Sequence, residues 1–197
     1  MSELPSPNIA KEVRAHVTET LGCGEPAAAS VTFLGVDPME VLRYGPSESR
    51  MVHYVTCGCS TNPMGDPSDM LADPVQGPRA ELVLAVKGGA DTVLRSLATI
   101  AAAPSVEGLV LRADALIDLG EPLWPGAAFT AVLLSPSVIP SLQLPEPYSP
   151  VDFFDAAPIT ATEAAWMRIK GADALREAWA EAKIDTTDPG RSAVRTV

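Results

Sequence analysis

The sequence predicts an α+β fold: short strands forming a sheet, helices packed on it, and two further helices closing the chain. Three observations predict it. Two apolar runs, residues 51–59 and 79–87, are rich in β-formers and bounded by turn residues, as central strands are. Strand-like runs at 30–34 and 40–44 precede them on tight connections, which suggests an antiparallel meander. Two capped amphipathic segments end the sequence.

Taken in order, Ser6-Pro7 is a helix start, a Ser N-cap with Pro in the first turn. Ile9, Val13, Val17 and Leu21 recur at four-residue spacing as one apolar stripe, and Gly22 supplies the stop. Residues 45–49 turn the chain into the 51–59 strand. The connection from 60 to 78 is long and polar for a compact domain, and loops of that kind are usually functional or disordered. After Gly88-Gly89, Asp91 is placed to cap a helix whose face is Val93, Leu97, Ile100 and Ala101, with Pro104 marking its end. Residues 109–111, 115–119 and 130–134 read as short strands, and 151–156 as the last one. Thr160 with Glu163 forms a capping box for a helix ending near Gly171. Leu175, Ala178, Trp179 and Ala182 give the face of the final helix, and residues 186–197 form a tail with little to bury.

Composition narrows the function classes. At 197 residues the chain suits one domain, here 1–185 with a tail at 186–197. Its 47% apolar and 20% charged residues are ordinary globular values, away from the disordered class. A formal net charge of −11 without a Lys/Arg cluster argues against nucleic acid and against anionic membrane as partners. It fits solubility or a basic protein partner. No stretch reaches the length of a membrane span and the first residues have no leader pattern, so a cytoplasmic location is expected. The three cysteines are too few and odd in number for a secreted disulfide framework.

Candidate chemistry is sparse. His53, Cys57 and Cys59 alternate along a strand and so share a face, but a structural zinc site wants a fourth ligand from a second pair. Packing as small hydrophobes is the expectation, with no metal and no cofactor. Asp66, Asp69 and Asp73 lack the alternation of a calcium loop and read as turn aspartates. Gly88-Gly89 fits neither phosphate-binding pattern and reads as a tight turn. Ser60 and His53 lack a nucleophile elbow, while Cys57 with His16 as base is the enzyme alternative. Arg79 and Glu81 read as a salt bridge or a sheet-end feature. Trp166 and Trp179 have core spacing, whereas Trp124, in a proline-rich loop, is expected to be exposed.

A family resemblance rests on three segments. Thr56-Cys57-Gly58-Cys59-Ser60 with Asn62-Pro63-Met64 and Arg79-Ala80-Glu81-Leu82 resembles the strand–loop–strand of the suppressor-of-fused-like domain. Pro158-Ile159-Thr160, Glu163, Trp166 and Gly171-Ala172-Asp173-Ala174-Leu175 resemble the closing helices of its bacterial members. Asp188-Pro189-Gly190-Arg191-Ser192 resembles their basic tail. The resemblance implies a central mixed, largely antiparallel β-sheet flanked by helices and closing with two C-terminal helices. It also implies a protein that binds other proteins and has no catalytic centre. Animal members hold a transcription factor through a short peptide, and an immunity role against toxins is the expectation for bacterial ones. The resemblance covers a shorter stretch than the animal pattern, so the second domain that completes the peptide clamp is expected to be absent.

The sequence therefore predicts a non-enzymatic module that sequesters a protein or peptide partner, by strand addition to a sheet edge or by capture of a basic surface on acidic loops. The candidate partner-binding residues are Asp66, Asp69, Asp73, Trp124 and Tyr148. A cysteine-dependent enzyme using Cys57 and a purely structural oligomer subunit are the alternatives.

Overall fold

The computed structural model describes residues 6–65, 73 and 75–195. Helix α1 (Ile9–Leu21) leads into strands β1 (Ala27–Val31), β2 (Met39–Tyr44), β3 (Met51–Cys57) and β4 (Arg79–Lys87). Helix α2 (Val93–Glu107) follows, then β5 (Leu116–Asp118), β6 (Phe129–Pro136) and β7 (Val151–Thr160), and last α3 (Ala161–Lys170) and α4 (Ala172–Glu181). All seven strands form one sheet in the order β1-β2-β3-β4-β7-β6-β5. Every neighbouring pair is antiparallel except β4 and β7, which run parallel with Arg79 opposite Val151 and Val83 opposite Asp155. The sheet is thus two antiparallel meanders, β1–β4 and β5–β7, joined along one parallel seam.

Alternation along the strands divides the core. Val52 and Tyr54 of β3, Leu82 and Leu84 of β4 and Val132 and Leu134 of β6 turn to one face, which α2 covers with Val93, Leu97, Ile100 and Ala101. The opposite face carries two helical layers side by side. Ile9, Val13 and Val17 of α1 pack on Leu42, Val55 and Phe153, while Ala164, Leu175 and Trp179 of α3 and α4 pack on Ala131, Leu133 and Ile159. The stripes expected for α1 and α2 are the faces that these helices bury. No helix among the described residues is long and apolar enough to cross a membrane.

Several boundaries differ from the expectation, each for a local reason. The cap of α1 is Asn8, not Ser6: its side chain accepts from the Lys11 N–H at 3.0 Å. The first strand lies at Ala27–Val31, three residues earlier than expected. Asp91 does not cap α2. Its carboxylate instead accepts from the Tyr54 hydroxyl at 2.6 Å and from Arg43 Nε at 2.7 Å, tying the β4–α2 turn to the meander. Pro104 does not end α2 either. The helix runs through it to Glu107, and Gly108, at φ 69°, closes it by donating to the Pro104 carbonyl. Residues 109–111 form no strand; Leu111 is buried, its N–H donating to the Met64 sulfur. The last strand continues past Ala156 to Thr160, because β6 pairs with it all the way to Phe129 opposite Thr160. The segment after Asp185 has more to bury than expected: Arg191 and Val194 are both buried.

Candidate partner-binding surface

The long β3–β4 connection is fastened at the sheet end by two buried charged side chains. Arg79 and Glu81 alternate with apolar residues at the start of β4, so both project to one face of a strand that stays apolar from Leu82 to Val86. Glu81 is fully buried. Its Oε2 accepts from the Thr56 hydroxyl at 2.6 Å, and its Oε1 accepts from the Gly58 and Ser60 N–H groups, each at 2.9 Å, and from the Ser60 hydroxyl at 2.6 Å. Burial pushes this carboxyl above its ordinary range, opposed by the hydrogen bonds that favour the anion. Arg79 takes the other side of the loop. Its Nη1 donates to the Ser60 and Thr61 carbonyls at 2.7 Å and its Nη2 to the Val75 carbonyl at 2.9 Å, with Tyr148 stacked 5.7 Å away. No ion pair joins Arg79 to Glu81. Each is spent on the backbone of the loop, so both of its ends are held.

The candidate residues divide between two ends of the sheet. Asp66 and Asp69 lie outside the described residues. Asp73 is exposed, and its carboxylate accepts from the Val75 and Gln76 N–H groups at 2.8 and 2.9 Å, bonds that hold it below the usual carboxylate range. Tyr148 is half-buried at the same end, where the Gly77 N–H also donates to the Ser149 hydroxyl. Trp124 is elsewhere and is half-buried rather than exposed, its ring 5.5 Å from that of Phe129. Tyr148 sits near Val151, where β7 begins, and Phe129 pairs with Thr160, where it ends. A strand of that length separates the two by about 30 Å. Asp73 and Tyr148 share a neighbourhood; Trp124 does not join them.

The candidate nucleophiles are occupied. The Cys57 thiol donates to the Ala10 carbonyl at 3.2 Å and is pushed by burial up to about 12. Cys59 donates to the Ala101 carbonyl on the opposite face of the sheet, because the chain leaves the strand at Gly58 and turns through a short 3₁₀ segment, Cys59–Thr61. The strand alternation that put His53, Cys57 and Cys59 on one face therefore stops at Cys57. His16, the candidate base, bonds the Pro140 carbonyl at 2.7 Å and stacks on Phe153. The Ser60 hydroxyl is committed to Glu81.

A second buried polar centre, not anticipated from the sequence, lies at the start of α3. The Thr160–Glu163 capping box forms, and Glu163 then goes beyond it. It accepts from the Trp179 indole at 3.0 Å, from the Val194 N–H at 3.1 Å, and from Arg191 through two bonds of 2.8 and 3.0 Å. The guanidinium lies 4.9 Å from the Phe129 ring and 5.4 Å from that of Trp179. Burial drives the Glu163 carboxyl up, but Arg191 and the N–H donors outweigh it and hold the group below its ordinary value. The capping box and the core spacing of Trp179 were its local signals; Arg191, seen only as part of the tail, is too far along the chain for any local pattern to connect it to Glu163.

These features can be set beside known proteins. The family model for suppressor of fused protein (SUFU) matches residues 35–192, most of the chain. This chain belongs to the suppressor of fused family. A suppressor of fused homolog from Neisseria gonorrhoeae superposes with a TM-score of 0.71 at 19% identity, covering 96% of this chain and 98% of that one. The structure of the Sufu–Fu complex matches at 0.71 and 14% identity, covering 95% and 93%. Suppressor of fused from Drosophila matches at 0.60 and 16% identity, with 84% of this chain covering 46% of that one. At these identities the superpositions establish a shared fold. No curated protein matches the sequence.

Proposed function

We propose that this chain is a non-enzymatic binding module that holds, and thereby inhibits, a protein partner at the loop end of its sheet. The observation that carries this is the anchoring of the β3–β4 connection, where Arg79 and Glu81 fix both loop ends against the sheet. A loop whose ends are held presents its residues with less ordering to be done when a partner arrives. The residues between those ends include Asp66, Asp69 and Asp73, which together with the net charge of −11 suit a basic partner surface. Family membership supports the reading, since one relative of this fold is a complex of Sufu with Fu. Three free cysteines, two of them held as hydrogen-bonded packing groups, accord with a cytoplasmic location and not with thiol catalysis.

An immunity role, with a toxin as the partner, is the specific form of this proposal. The test is capture from the native host by the whole chain and by a variant lacking residues 66–73. A basic protein retained by the first and lost from the second is the expected result. Equal retention by both, or no protein above background, would overturn it. Inhibition of the captured protein's toxicity on co-expression distinguishes immunity from simple binding.

A further inference from the structure

The two free edges of the sheet are β1 and β5, and β1 is left unguarded. Among the described residues it pairs only with β2, and its sequence Ala-Ala-Ala-Ser-Val contains no charge and no proline, the usual devices that blunt an edge. Ala27, Ala28 and Ser30 are exposed, so one backbone edge and small side chains face outward. The strand runs toward a cleft of about 210 Å³, lined by Val36, Asp37, Met39, Gly58, Cys59 and Ser105 among others. Two large apolar side chains adjoining that lining in sequence, Leu34 and Val106, are exposed.

The charges near this edge are mostly acidic, and Arg43, which lies opposite Ala27 on β2, is taken up by Asp91. Residues 15–42 contain no Lys or Arg, and neither do residues 96–111 of α2 and the segment after it. Glu25, Asp37 and Glu107 are exposed there, and the nearest arginine on α1, Arg14, is paired with Glu40. A second copy of a chain this acidic would bring like charges together, whereas a basic segment meets complementary ones.

We propose that the edge of β1 and the cleft beyond it form a docking site for an extended, basic segment of a protein partner. Such a segment adds a strand to the sheet through main-chain hydrogen bonds and sets one apolar side chain into the cleft between Val36 and Ser105. This rests on the binding-module proposal and adds to it a place and a partner chemistry.

The probe is a labelled peptide of alternating lysine and valine ending in leucine, followed by fluorescence anisotropy. Its counterpart, N-methylated at alternate residues, keeps the charges and side chains but cannot complete a ladder. The parent is expected to bind at least about tenfold more tightly than the methylated form, with slowed amide exchange across Ala27–Val31. The double variant Ala28→Lys/Ser30→Lys, both at exposed positions, should lose the same factor while unfolding at the wild-type urea concentration. Equal binding of the two peptides, exchange protection elsewhere, or a concentration-dependent dimer abolished by the double variant would each overturn the proposal. Partner capture from the host that depends on residues 66–73 but survives the double variant would leave the binding module standing and remove this site. Capture lost in neither variant would remove both.

Discussion

Two arginines and two glutamates are buried among the described residues, and the contrast between the pairs is instructive. Arg191 and Glu163 form a bidentate ion pair with side chains 4% and 0% exposed, inside a cage of Phe129 and Trp179. Arg79 and Glu81 are as deeply buried and two residues apart, yet they make no pair. Glu81 is held by neutral N–H and hydroxyl donors; Arg79 donates to carbonyls from both Nη atoms, while its Nε is buried without a partner. The ionisation directions follow from that difference. A cation at hydrogen-bond distance holds Glu163 below its ordinary value, and its absence leaves Glu81 above. Burial pushes both carboxyls up, and at Glu163 the cation beside it, with the other donors, offsets that push.

The contrast can be broken first at its strongest point. Arg191→Ala leaves Glu163 buried without its cation and should cost about 3–5 kcal/mol in urea unfolding. The double variant Arg191→Met/Glu163→Gln should recover part of that loss, since no uncompensated charge remains. Glu81→Ala abandons two N–H groups and two hydroxyls in the interior and should cost about 2–4 kcal/mol. Glu81→Gln, which retains an acceptor, should cost less than half as much. Arg79→Lys keeps a charge but loses the planar fork that reaches three carbonyls, for a loss of about 1–2 kcal/mol. Its signature is faster amide exchange at Thr61 and Gln76, whose peptide groups carry the Ser60 and Val75 carbonyls that Arg79 holds, without a change at α3.

The smallest effect is in the pH dependence, where the two glutamates act with opposite sign. Glu163, depressed in the folded state, contributes stability that is present above its unfolded pKa and lost as pH falls through the folded one. Glu81, raised in the folded state, contributes stability that is present below its unfolded pKa and lost as pH rises through the folded one. Urea midpoints measured from acid to neutral pH should therefore show a steeper rise for Glu81→Gln than for the wild type. They should show a shallower rise for the Arg191→Met/Glu163→Gln variant. The same slope in all three proteins would contradict the assignment.

Much of the fold was legible because its signals are local. The runs at 51–59 and 79–87, the stripes of α1 and α2, and the Thr160–Glu163 box each carry their meaning within a few residues. What was missed depends on partners distant in sequence. Asp91 has the residue type of a cap, but Tyr54 and Arg43, brought alongside by the sheet, take its carboxylate. Residues 157–160 lie past the strand expected at 151–156, yet β6 supplies the pairing that continues it. The candidate site was legible only in part. The loop itself stood out by its length, and Arg79 and Glu81 by being charged on an apolar strand, but not the direction in which each reaches. Trp124 was placed by its proline neighbours alone, which say nothing of the core beside it.

The parallel seam between β4 and β7 bears on how the chain reaches this structure. Within each meander, strands meet the next strand in sequence, so even across the long β3–β4 connection the closures are shorter than the one the seam needs. The seam alone joins Arg79 to Val151 and Val83 to Asp155 across the whole of α2, β5 and β6. Non-local pairing of this kind is slow, since the entropy of closure is lost before any contact compensates it. Folding rate should accordingly respond to substitutions lining the seam, such as Leu82→Ala, while substitutions at the outer strands should change mainly the rate of unfolding.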